Sequence, residues 1–199
     1  MASNPARLPA LRDAPASPRV EARQRRWSCR VVPQGGRRHV LQLSGSLHAG
    51  WSERLATGLA LRQVSVVSGT ARRGAAEWSA EFTFDVLDGG SVPSPVDFIA
   101  LMHEAREPGQ AGDLRISGHR LVRTGRDLEV EIQGRDAVGF LGQVLQVFAD
   151  LRLYPREMEI ETVGAEVLDL FRLQGLGGKL PPEGIAAALA LRLQALTTH

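Results

Sequence analysis

Apolar and polar residues along this chain fall into runs of two kinds. Trp78, Ala80, Phe82 and Phe84 alternate with Ser79, Glu81, Thr83 and Asp85, the period-two pattern of a half-buried strand. Shorter β-type runs cover Cys29–Val32 and His39–Gly45, and Pro33-Gln34-Gly35-Gly36 between them reads as a hairpin connection. Leu55 and Leu59, with small neighbours at helical spacing, predict a helix over Ser52–Arg62, and Val64–Thr70 reads as a strand. Ser94-Pro95-Val96-Asp97 supplies an N-cap serine, a proline at the first helical position and an acid at the third. It opens a helix expected from Pro95 to Ala105.

The same order then begins again. Leu114–Val122 and Asp127–Gly134 pair around Thr124-Gly125. Val138–Leu151 reads as a helix, Glu157–Val163 and Val167–Leu173 as strands, and Pro181–Leu196 as a closing helix. A single ungapped shift of 89 residues superposes the landmarks. Leu41 falls on Val130, Gly45 on Gly134, Gly50 on Gly139, Trp51 on Phe140, Leu59 on Phe148 and Phe82 on Phe171. Each unit therefore reads β-β-α-β-β-α, an α+β arrangement in which helices are expected to cover one face of an antiparallel-containing sheet. The expected layout is an Arg/Pro-rich arm over 1–26, a first unit over 27–112 and a second over 113–199.

Two stretches resemble the ACT domain. One runs from Gly134 through Asp136, Gly139 and Phe140 to Leu153; the other is Glu157–Phe171. The resemblance is closest to the C-terminal ACT units of nitrogen-sensing uridylyltransferases. It rests on a strand ending in an acid (Asp136), then Gly139 and an apolar residue, then a helix and two strands. Val138 stands where proline is common in that family. The first unit keeps Gly50 but carries Leu47 at the acid's position. The resemblance spans roughly 38–105 and 127–196, and it implies two ferredoxin-like units. An ACT unit runs βαββαβ with sheet order 4-1-3-2, whereas each unit here starts with an additional strand. That strand would occupy the edge slot of the family's fourth strand, since a hairpin partner is antiparallel and adjacent. Alternatively, strand 114–122 closes the first unit.

The resemblance places a small effector, such as an amino acid, at the turn between first strand and first helix, facing the neighbouring unit. Asp136, Ala137, Val138, Gly139 and Phe140 would line that site in the second unit, with His48, Ala49 and Gly50 at the matching turn of the first. An acid at 136 suits an ammonium group, and a helix start offers N–H groups to a carboxylate. The plainer reading is that Asp136 caps the helix and Gly139 permits packing.

Charge narrows the field further. The net charge is +2, but residues 1–38 carry nine Arg against Asp13 and Glu21, so the remainder is net acidic at −5. A basic face for nucleic acid is therefore disfavoured. A single cysteine, Cys29, makes neither an internal disulfide nor a thiolate zinc site, and no apolar run approaches the ~18 residues of a membrane span. A cytoplasmic location follows as the default expectation. No Ser- or Cys-nucleophile motif, phosphate loop or metal-ligand spacing is present, and no cofactor is expected. Trp51, Trp78 and Phe140 read as core, and Glu157, Glu159 and Glu161 as a solvated strand face.

These features favour a non-catalytic regulatory or sensor protein, homo-oligomeric or bound to a partner protein. One alternative is a protein–protein assembly module with no small ligand. A weaker one is a small enzyme using His48 or Asp136.

Overall fold

A computed structural model describes residues 27–75, 77–92, 94–103 and 114–197. The 1–26 arm, the expected helix end at Glu104-Ala105 and the 112/113 boundary lie outside the described residues. The elements are β1 (Trp27–Gly35), β2 (Arg38–Gly45), α1 (Trp51–Ala60), β3 (Val64–Arg73), β4 (Trp78–Val86) and α2 (Pro95–His103), followed by β5 (Ile116–Thr124), β6 (Asp127–Arg135), α3 (Phe140–Asp150), β7 (Tyr154–Val163), β8 (Glu166–Gln174), a short 3-10 turn (Leu176–Gly178) and α4 (Glu183–Leu196). The alternating strand over 78–85 is present as β4, and Ser94 and Asp97 form the reciprocal cap of α2. The Ser94 amide donates to Asp97 Oδ2 at 2.8 Å and the Asp97 amide to Ser94 Oγ at 3.4 Å.

The expectation of two ferredoxin-like units with helices on one face of each is corrected. All eight strands join one antiparallel sheet in the order β1-β2-β4-β3-β7-β8-β6-β5, and the fold is largely β with four short helices. The cause lies at the edge of β3. In a separate unit its outward N–H and C=O groups would have no ladder partner. Here they pair with β7 from Ser68↔Glu161 to Arg72↔Glu157. At the middle of that ladder Thr70 faces Glu159, and these two positions are 89 residues apart. The offset also relates β1 to β5 and the first residue of α1 to that of α3. It relates Gln63 and Arg152 as well, the two non-glycine residues with positive φ among the described residues, each at 56°. The duplicated halves thus meet about a local two-fold at Thr70/Glu159. Strand β5, left open between two assignments by the sequence, pairs with β6 and lies at the sheet edge opposite β1.

One core runs beneath the whole sheet. Strand residues Leu41, Phe82, Phe84, Val130, Ile132 and Phe171 pack with helical Trp51, Leu55, Val144, Phe148 and Leu189 in a single cluster. Trp51 meets Trp78 edge-on at 5.3 Å and Phe148 meets Phe171 at 5.0 Å. Helix α1 lies directly against α3, where a Cβ on Gly142 would stand 3.1 Å from the Thr57 amide nitrogen. Glu157 departs from the expected solvated face. It is buried, and both Arg72 and Arg172 hydrogen-bond its carboxylate.

Candidate functional site

β6 runs on into Asp136, whose amide donates to the Ala165 carbonyl at 2.8 Å. The chain then turns through Ala137 and Val138 to Gly139. Gly139 sits at φ +88° immediately before α3, a left-handed backbone that favours glycine, and Gly50 before α1 is its counterpart at +83°. Neither helix start has a side-chain cap. Asp136 makes no side-chain cap to α3.

This turn closes one side of a small pocket on the seam between the halves. Ser65 and Val66 of β3 line it from the first half, and Asp136, Ala137, Gly139, Phe140, Thr162 and Asp169 from the second. Its volume is about 20 Å³, room for roughly one water-sized group. The residue that changes its chemistry is Asp169. Only 1% of Asp169 is exposed, and its Oδ1 has no hydrogen-bond partner, nor has the Thr162 hydroxyl. Burial pushes the Asp169 carboxyl up to about 7. The Glu161 N–H acts against that rise and the nearby Asp136 charge adds to it. Asp136 is itself raised by burial, against the opposing Ala137 N–H. No Arg, Lys or His lines the pocket. Two carboxyl groups with one orphaned oxygen leave the pocket with hydrogen-bond acceptors and no basic side chain facing them.

Of the residues expected at the site, Asp136, Ala137, Gly139 and Phe140 line this pocket, while Val138 is not among its lining residues and is 38% exposed. His48 and Gly50 are not among its lining residues, and Ala49 lines a separate wide crevice. At the first-half positions matching Asp136 and Asp169 stand Leu47 and Ala80. Trp51 and Trp78, both buried and in edge-on contact, stand where the second half has Phe140 and Val167. The two halves are therefore chemically unequal at the same place. Asp169, Thr162 and Ser65 were missed by sequence reasoning. Asp169 carried a signal, because it shares the buried phase of β8 with Val167, Phe171 and Leu173.

No protein-family model matches the chain, and no curated protein matches it. Among solved structures it is similar to aspartate kinase from Synechocystis, with 14% identity, a TM-score of 0.46 and 79% of this chain covered. The chain spans about a quarter of that protein's length, 26%. It is also similar to an unknown protein from Galdieria sulphuraria, with 12% identity, a TM-score of 0.30, and 80% of this chain and 91% of the other covered. No helix among the described residues is long and apolar enough to cross a membrane.

Proposed function

We propose that this protein is a non-catalytic regulatory module that senses a small amine-bearing effector at the seam pocket. The observation that carries the proposal is the buried, partnerless Asp169 Oδ1 beside Asp136, in a pocket without a cation. A protonated amine would supply the missing donor and offset the cost of burying the carboxylates. The pocket admits the ammonium head alone, so the rest of an amino acid would lie outside it. Because Ser65 and Val66 come from one half and the acids from the other, an occupant would tie the halves together. That is how a binding event would be passed to whatever the protein regulates. The resemblance of the Asp136–Phe140 turn to ACT units, and their use of this turn for effectors, supports the same reading.

The test is a thermal-shift and calorimetric screen of the twenty amino acids and simple primary amines at pH 8. A ligand at a hundredfold excess over its Kd is expected to raise Tm by about 5–10 °C. The double variant Asp136→Leu/Asp169→Ala, which installs the first half's residues, is expected to abolish the shift. Absence of any shift or heat across the panel would remove the proposal. A second reading, an assembly module, is favoured by the sheet's open face. There Glu81, Glu131, Glu159 and Glu161 surround Leu168 and Leu170. A partner recovered on wild-type chain but not on a Glu131→Lys/Glu159→Lys variant would support it.

A further inference from the structure

We propose that the crevice at the strand ends, well away from the seam pocket, binds the phosphate group of a phosphorylated small molecule through Arg73 and Arg126. The crevice measures about 1190 Å³ and shares no lining residue with the seam pocket. Its walls come from the end of β3, the β5–β6 turn, the start of β7 and the Gly175–Gly178 loop.

Its charge is unbalanced. Arg73, Arg126 and Arg156 line it against one acid, Asp127. Asp127 is already committed, with Oδ2 accepting from Arg156 Nη1 at 3.1 Å and Oδ1 from Gln174 Nε2 at 2.7 Å. Neither Arg73 nor Arg126 has an ion-pair partner among the described residues. Two guanidinium groups stand open, each a planar fork of donors suited to phosphate oxygens.

The other half of the molecule supplies an internal control. Arg126 corresponds to Arg37, and Arg37 is ion-paired with Asp88. The position matching Asp88 is Gly177. Arg38 is likewise held by Asp85, at 2.9 and 2.7 Å. The first-half crevice is thus neutralised pair by pair, while the second has lost the acid facing Arg126. Space does not force that loss, since a Cβ on Gly177 would meet nothing within 4 Å. Its φ of +72° is one that aspartate tolerates better than most residues. Arg73 adds a further cation where the second half has Thr162. Tyr154, Pro155 and Leu176 provide apolar surface for the organic part of the ligand.

Isothermal titration of the full chain with inorganic phosphate, adenosine monophosphate and glucose 6-phosphate tests this. Saturable binding of at least one organic phosphate is expected. It should weaken about tenfold or more in Arg126→Ala and in Gly177→Asp, which restores the missing acid, and stay unchanged in Arg37→Ala. Circular dichroism melts establish that each variant is folded. Binding of inorganic phosphate as tight as that of the organic phosphates would overturn the assignment to a phosphorylated molecule and leave free phosphate as the ligand. No saturable heat with any probe, or wild-type affinity in both variants, would overturn the site itself. Neither result bears on the amine screen of the seam pocket, which uses ligands of opposite charge.

Discussion

Arg72 near the end of β3 reaches across the seam to the buried carboxylate of Glu157 on β7, which Arg172 of β8 also holds, at 2.7 Å. Burial by itself would raise the Glu157 pKa. The hydrogen bonds and charges of Arg72 and Arg172 outweigh it and hold the carboxyl below its ordinary value. The pair therefore joins the halves at the one ladder they share.

Glu157→Gln keeps the shape and removes the charge from two charge-assisted hydrogen bonds. A loss of about 2 kcal/mol is expected, or a Tm lower by roughly 4–8 °C. Arg72→Ala should cost less, because Arg172 still engages the acid. Equal losses in thermal melts of the two variants would contradict this account.

Asp169 makes stability depend on pH in the opposite sense to a salt-bridged acid. With its folded-state pKa near 7 and an ordinary value of 3.8, it keeps a proton in the folded protein that the unfolded chain has released. Its favourable contribution is complete below about pH 3.8 and is lost as pH rises toward 7. The full swing is up to about 4 kcal/mol. Asp169→Asn should therefore melt above wild type at pH 8, and the difference should shrink steadily toward pH 4. A difference that does not vary with pH would show that Asp169 does not titrate in this window.

Gly69 lies in β3 on the seam, and a Cβ there would sit 2.3 Å from Phe82 Cδ1 and 2.8 Å from the Glu81 carbonyl oxygen. Gly69→Ala must displace a core aromatic ring and is expected to destabilise by about 1–3 kcal/mol. Denaturant titration measures it. Phe82→Leu in the same background should recover part of the loss by vacating the ring's space.

Gly142 lets α3 approach α1 at Thr57. Gly142→Leu is expected to push the helices apart, again at about 1–3 kcal/mol, and to raise hydrogen exchange in the β3–β7 ladder ahead of the outer strands. Uniform acceleration across the sheet would mean that the helix pair does not support the seam.

Much of this was legible in the residues. Alternation located β4, the Ser94–Asp97 cap located α2, and the 89-residue shift aligned the landmarks from β2 and β6 through β4 and β8. The merging of both halves into one sheet was not legible. It is made by backbone N–H and C=O groups at the β3 and β7 edges, which leave no mark on side-chain periodicity. Asp136 and Gly139 could be placed at the strand-to-helix turn because a turn and a helix start are local. Ser65 and Thr162 reach the same pocket from strands far apart in the chain, which no local pattern reports. Asp169 was not singled out because nothing in the strand pattern of 167–173 shows what its carboxyl would meet; it shares the buried phase with Val167, Phe171 and Leu173. The difference between Gly177 and Asp88 has meaning only once the crevice walls are known.

Thr70 faces Glu159, its own equivalent, across the seam. In a two-fold assembly of identical chains every substitution would be written twice, and a change that suited one site would be imposed on the other. A covalent pair escapes that rule. One copy can keep tryptophans and a matched ion pair as ballast, while its twin takes on a buried, unpartnered acid and an unmatched arginine at the same addresses. Joining the copies in one chain makes specialisation of a single copy cheap, because the stability it costs is shared with a neighbour that has not changed.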